Sequence, residues 1–448
     1  MQPYAQHPTV QKFEAHPERA KPIAPIPVDW LRSVCRDAGA DDAGFVALER
    51  AELDDQREII RAAFPWTRSL ISVVKRMNPE NIRTPARSVA NLEFHHSGDE
   101  TNDIARGIAD RLNAAGYRAA NGASMGFPME AERWPGRMWV VSHKPVAVAA
   151  GLGRIGIHRN VIHPRFGNFI LLATVVVDAP IAVESQPIDY NPCLECKLCV
   201  AACPTGAIAP DGAFNFTACY THNYREFMGG FADWAETLVE SKNVPEYRKK
   251  FSDAETVSVW QSLSFGANYK AAYCMAVCPA GEDVIGPFLE DRAGFLTEIV
   301  RPLQHKPEII YVSKNSDAAE YVRRKFPHKT VKQVGAGLRP ASIAGFRGSL
   351  PIGFQKKRAA DLCATYHFKF HGDETLVFQV RIDRGVIQVQ DTLAEPADFT
   401  LKADSRTWLA YLRSELSAPR MLLALLSGRL RFRGSPRLLL RFADCFPK

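Results

Sequence analysis

Ten cysteines occur in the 448 residues, and seven of them cluster. Cys193, Cys196, Cys199 and Cys203 form a C-x2-C-x2-C-x3-C run closed by Pro204. Three thiolates three residues apart can wrap three corners of an iron–sulfur cube, and a fourth followed by proline projects to a different cluster. Soft sulfur ligands hold iron and tune its potential. Zinc usually takes CxxC pairs separated by a longer loop, which would leave this tight run unexplained. Cys274-x3-Cys278-Pro279 reads as the tail of a second such run. Paired clusters cross their ligands. Cys278 is therefore expected to complete a 4Fe–4S cluster with Cys193, Cys196 and Cys199, leaving Cys203, Cys219 and Cys274 for a second cluster. A fourth cysteine would be expected at position 271, which is Ala271. The second cluster is then a 3Fe–4S species, or a 4Fe–4S cluster with a non-cysteine ligand or an open iron. His222 and Tyr273 are near it in sequence. Clusters move one electron at a time, so another cofactor or a partner must accept electrons.

Gly151-Leu152-Gly153-Arg154-Ile155-Gly156 matches G-x-G-x-x-G. Dinucleotide binding needs a helix opening at the third glycine. His163-Pro164 and Gly167 interrupt the segment, which argues against a nicotinamide cofactor. A tight loop against some other flat or anionic cofactor is the better expectation, with Gly151, Gly153, Gly156 and His158 as candidate binding residues. The neighbours His143, Lys144, Arg154 and Arg159 would suit phosphate or propionamide groups; a solvated loop explains them nearly as well.

The elements that must position these residues alternate. Residues 1–27 carry six prolines and read as a flexible arm. Trp30, Leu31, Val34, Cys35 and Ala38 recur at helical spacing, which places the Cys35 thiol in a core. Strands are expected at 44–48, 70–74, 146–150 and 169–177. Ser97-Gly98-Asp99-Glu100 fits a capping box opening a helix through Ile104, Ile108 and Leu112. A strand at 309–312 and a helix at 318–326 precede a seam at VGAGLRP. Beyond it, 368–370, 375–382 and 386–389 alternate like antiparallel strands, followed by amphipathic segments at 405–416 and 420–426. Cys363 and Cys445 read as core thiols of this last unit.

Hydrophobic residues at 46% and charged residues at 23% fit a globular multidomain protein and exclude wholesale disorder. The charge is asymmetric: residues 301–448 hold 26 Lys+Arg against 13 Asp+Glu, and the rest 30 against 36. A basic half of this kind suits a lipid surface, nucleic acid or the acidic half of its own chain. No run reaches the ~20 apolar residues needed to span a bilayer, and the first residues carry no apolar signal region, so a cytoplasmic location is expected.

The segments HKPVAVAAGLGRIGIHRNVIHPRFGNFILLATVVVDAPI, NPCLECKLCVAACPTGAI and CMAVCPAG resemble the epoxyqueuosine reductase family, with reductive dehalogenases as more distant relatives. The resemblance covers about 28–300. It implies a nitroreductase-like α/β domain (28–185) holding cobalamin beside the 151–160 loop, joined to a bacterial ferredoxin-like two-cluster domain (186–300). It also implies an electron donor such as a ferredoxin or flavodoxin. The family's reductase of modified tRNA has an acidic proton donor near the position of Arg137; here Arg137, Met138, Trp139, Val140 and Val141 offer no carboxylate. A paralogue with another substrate is therefore expected, and tRNA becomes the lesser partner. After a linker (301–340), ATYHFKFHGDETLVFQVRIDRGVIQV and LLSGRLRFRGSPRLLLRF resemble the sterol-carrier-protein lipid-binding domain over 341–448. That implies an apolar ligand, with Leu409, Leu412, Leu423, Leu426 and Phe432 as candidate tunnel lining or ordinary core, and a basic face suited to an anionic membrane. The expected fold is α+β and multidomain. The expected function is an iron–sulfur reductase of an apolar small molecule; the rivals are a ferredoxin-like carrier and a tRNA-modifying enzyme.

Overall fold

Period-two alternation sets the first layer, because neighbouring strand residues must face opposite sides. In the computed structural model, which describes residues 4–15, 25–122, 140–335 and 339–446, β1 (Asp42–Ala47), β2 (Ser69–Arg76) and β3 (Ala119–Asn121) enter one sheet. β4 (Arg154–Ile155) and β5 (Val161–Ile162) form a separate hairpin, and β6 (Ile170–Val177) completes the sheet in the order β1-β2-β6-β3. All its pairings are antiparallel. Phe45, Ile71, Val73 and Val175 face one core with Leu31, Cys35, Ile104, Ile108 and Leu112. Val46, Leu70 and Val176 face another with Val146 and Ala149. Helices thus cover both faces. Cys35 is buried as expected, and burial pushes its thiol up to about 12.

Three expectations for this part fail for physical reasons. Residues 146–150 lie in a helix, His143–Ala149, not a strand; a short apolar run does not distinguish the two. The central helix runs from Arg87 to Ala114, 28 residues, so Ser97 is interior and donates from Oγ to Glu93 Oε1 instead of capping. Its first half belongs to a different core: Ala90 and Phe94 pack with Tyr273, Cys199 and Cys203. At 1.5 Å per residue it is roughly 42 Å long, enough to serve two modules. The supposed flexible arm contains a short helix, Pro8–Glu14, and a buried Ile26 that bridges Ile181.

β7 (Ile309–Ser313) and β8 (Thr330–Val334) pair in parallel around the helix Ala318–Lys325. Next come β9 (Cys363–His371), β10 (Leu376–Asp383), β11 (Val386–Gln390), β12 (Phe399–Asp404) and β13 (Leu430–Gly434), in the order β11-β10-β9-β12-β13. Only β9 and β12 run parallel within it. Aromatic rings fill the space between this sheet and its helices: Phe346, Phe368, Phe370, Phe378, Trp408 and Phe442. The candidate tunnel lining divides accordingly. Leu409 is buried, but Leu423, Leu426 and Phe432 are 63%, 77% and 44% exposed, so they do not enclose a ligand. Cys445 is buried; Cys363, expected in the core, is exposed at the start of the central strand β9, its Sγ donating to Asp383 Oδ1 at 3.3 Å.

Candidate metal centre

The chain reaches its cysteines through a segment that local turns force into a tight wrap. Glu195 and Lys197, between successive cysteines, adopt φ of +49° and +62°. Left-handed conformations at non-glycine residues persist only where surrounding structure fixes them. The helix Leu198–Ala202 then carries Cys199. Far along the chain, the helix Tyr273–Ala276 delivers Cys274 and, just past its end, Cys278.

The thiols sort into two groups. Cys193, Cys196, Cys199 and Cys278 line one small recess, walled also by Ile157, His158 and Pro279. Burial raises the Cys199 thiol to about 12, reinforced by Cys274, Cys196 and Cys193, and raises Cys278, reinforced by Cys196, Cys199 and Cys193. The second group is Cys203, Cys219 and Cys274. Burial first, then Cys203, lifts Cys274 to about 11; burial, Cys274 and Cys203 lift Cys219. Cys274 couples electrostatically to Cys199, so the groups adjoin. Among the described residues, no three His, Cys, Asp or Glu side chains are placed to hold a lone metal ion; the first group instead surrounds a space.

The Tyr273 hydroxyl and one ring nitrogen of His222 are engaged elsewhere, while His222 Nε2 is buried with no partner among the described residues. Tyr273 donates from its hydroxyl to Glu308 Oε2 at 2.8 Å. His222 accepts the Tyr311 N–H on Nδ1 at 3.2 Å and stacks on that ring. Burial lowers the His222 pKa to about 3, against about 6.5 unfolded. A histidine held neutral contributes stability in full above pH 6.5, and loses it as pH falls from 6.5 towards 3 at about 1.4 kcal/mol per pH unit. His222→Asn keeps an acceptor for Tyr311. Urea titrations at pH 7 and pH 5 should show the wild type losing about 2 kcal/mol more than the variant; equal losses would refute the assignment.

Sequence reasoning missed two buried arginines, one beside each group. Arg83, over the Phe169 ring at 5.2 Å, has Cys278 among its electrostatic partners. Arg87, over the Tyr273 ring at 5.3 Å, has Cys274. Nothing local marks them, because their partners are distant in sequence. Lys144 is another link. The residue is exposed, yet protein crowds its ammonium enough to lower its pKa, with Cys274 and Cys219 opposing the drop. It donates to Arg159 O at 2.8 Å and Asn160 Oδ1 at 2.9 Å.

The glycine loop is explained by protein atoms. A Cβ on Gly151 would lie 2.3 Å from Gln186 O, one on Gly153 2.3 Å from Ile162 O, and one on Gly156 2.6 Å from Ile162 Cδ1. Gly153 also has φ +148°. Gly153→Ala should cost about 2 kcal/mol or more in chemical denaturation; a loss below 0.5 kcal/mol would show that the loop yields freely. Arg154 is engaged by Ile188 O, and His143 Nδ1 meets Thr174 Oγ1 at 2.9 Å. His158 is buried, accepts the Asn160 N–H on Nδ1, and is lowered to about 4 by burial and then Lys144. Arg137, Met138 and Trp139 lie outside the described residues.

Comparison with known proteins adds two family matches: the 4Fe-4S binding domain over residues 187–209 and the SCP-2 sterol transfer family over 354–447. The epoxyqueuosine reductase of Cyclobacterium marinum is 29% identical over 165 residues, 33% of this chain and 51% of that protein. The Vibrio cholerae enzyme is 32% identical over 89 residues, 20% of this chain and 24% of that one. The chain thus matches about half or less of these relatives' length. The solved epoxyqueuosine reductase of Streptococcus thermophilus is 18% identical, with TM-score 0.35, over 61% of this chain and 75% of that one. In sequence, then, this chain resembles the epoxyqueuosine reductases and joins a 4Fe-4S binding segment to a C-terminal segment of the SCP-2 sterol transfer family.

Proposed function

We propose that the chain is an iron–sulfur reductase in which two clusters relay electrons to a catalytic cofactor beside the N-terminal sheet, for reduction of an apolar small molecule. The supporting observation is the sorting of seven thiols into two adjoining groups. Buried thiolates around one space repel one another, and iron between them removes that cost. The donor set therefore fits. Cys193, Cys196, Cys199 and Cys278 would hold a 4Fe–4S cluster; Cys203, Cys219 and Cys274 would hold a 4Fe–4S or 3Fe–4S cluster. These groups supply single electrons when bound, and cobalamin, implied by the resemblance, would supply the reacting centre in a nitroreductase-like unit at 28–185. Gly151, Gly153 and Gly156 leave no room for it at their own Cα atoms. Lys144 brings the N-terminal unit to within electrostatic reach of the second thiol group.

The SCP-2 match favours an apolar substrate over tRNA. The helix Ala418–Leu426 turns Leu422, Leu423 and Leu426 outward, and Phe432 and Leu440 are exposed nearby in sequence. Arg420, Arg429, Arg431, Arg433 and Arg437 are interspersed with them. Leucines rimmed by arginines suit an anionic lipid surface. No described helix is long and apolar enough to cross a membrane, so contact would be peripheral.

Anaerobic reconstitution with iron, sulfide and cobalamin tests the function. Expected are about seven to eight irons per chain, low-temperature paramagnetic signals from two clusters and retained cobalt. A zinc-loaded, colourless chain would refute it. Iron without cobalt would remove cobalamin alone.

A further inference from the structure

We propose that an acidic one-electron carrier protein docks in the basic cleft beside the helix Ala318–Lys325, and that electrons enter through the second thiol group beneath it. The proposal rests on the reductase function above.

The cleft has a volume of about 720 Å³, and its lining includes Arg323, Arg324, Lys357 and Arg358 with the carboxylates Asp317 and Glu320. All four cations are exposed, and among the described residues none pairs with a carboxylate. Four exposed cations against two carboxylates give the cleft a positive potential that attracts an anionic surface. The two walls are fixed relative to each other. Buried Gln355 donates from Nε2 to Asn315 O at 3.1 Å and accepts the Asp317 N–H on Oε1 at 3.0 Å. The cleft is thus pre-organised.

What lies beneath identifies the visitor. Tyr321 lines the cleft and donates from its hydroxyl to Cys203 O at 3.5 Å. Its ring covers Gly206, where a Cβ would sit 2.7 Å from Tyr321 Cγ. Lys325 donates to Val200 O at 3.1 Å, fastening the helix to the cysteine segment. One side chain therefore separates the cleft from a residue of the second group. A small anion would not need so wide an opening, and two carboxylates among the cations oppose a phosphate backbone. A protein of mixed but net acidic surface tolerates them. In the transfer, the carrier loses one electron and the cluster gains it; no bond or proton moves.

The probe is a photoreduced acidic 2Fe–2S ferredoxin mixed with the cluster-loaded full chain, with bleaching of visible absorbance followed by stopped flow. The wild-type rate should fall steeply with salt. The variant Arg323→Glu/Arg324→Glu/Lys357→Glu/Arg358→Glu should be slower by about tenfold or more at low salt, with a flattened salt dependence. Arg36→Glu/Arg106→Glu, a charge change elsewhere, should match the wild type. Dithionite should bleach all three alike. Equal ferredoxin rates in the cleft variant and wild type would overturn the proposal, as would a variant that loses only tRNA binding. A chain that never takes up iron would instead refute the reductase function, and this docking with it.

Discussion

Cys278→Ser will remove the first cluster and spare the second. Position 278 follows Cys274 by four residues, so a simple sequence-local grouping would assign both to one centre. The structure puts Cys278 among Cys193, Cys196 and Cys199, with Cys193 packed beside it and Ile162. Serine is a hard and poorly ionised substitute for a soft thiolate. Iron content should fall by about half, and the paramagnetic spectrum should simplify to the second cluster. Cys274→Ser should do the converse. If Cys278→Ser abolished the second signal while leaving the first, the crossed arrangement would be wrong, and the electron path drawn from it as well.

Phe368→Ala should be the most damaging single change in the C-terminal unit. Phe368 is 1% exposed. Its ring stands 5.0 Å from that of Phe378, 5.3 Å from Phe442 and 5.9 Å from Phe346. Removing it leaves a ring-sized hole that rigid strands on either side cannot close, at a cost of about 3–5 kcal/mol. Denaturation followed by near-ultraviolet circular dichroism should show the C-terminal aromatics melting early, with iron content unchanged. A loss under 1 kcal/mol would mean that the core collapses around the gap. It would also revive an internal ligand cavity, because a site that absorbs a missing ring was never tightly filled.

Sequence spacing disclosed most of the thiol arrangement, because cluster ligands follow short chemical rules: two residues between cysteines, a proline after the last. The cations around them were invisible for the opposite reason. Arg83, at the end of the short helix Pro79–Arg83, and Arg87, at the start of the long helix, meet Cys278 and Cys274 only through the tertiary fold, and no local pattern encodes that meeting. The start of that helix was hidden likewise, since Ala90 and Phe94 answer to a core other than that of Ile104 and Ile108. The glycine triplet has a reason within the fold, because G-x-G-x-x-G also permits close backbone approach, as Gln186 and Ile162 show. Three of the five strands of the C-terminal sheet, β9, β10 and β11, were legible from alternation; β12 and β13 were not. The outward-facing leucines at 422–426 were not, because helical spacing records a stripe without saying what covers it.

The convergence of Cys278 with cysteines near 193 carries a consequence for biogenesis. While the chain is being synthesised, the early thiols leave the ribosome well before their distant partner exists. A nascent protein therefore presents incomplete nests that could capture stray metals or cross-link under oxidising stress. Completion of the group formed by Cys193, Cys196, Cys199 and Cys278 must wait until residue 278 has emerged, and truncation just upstream of that point would leave that group one thiol short while sparing Cys203, Cys219 and Cys274.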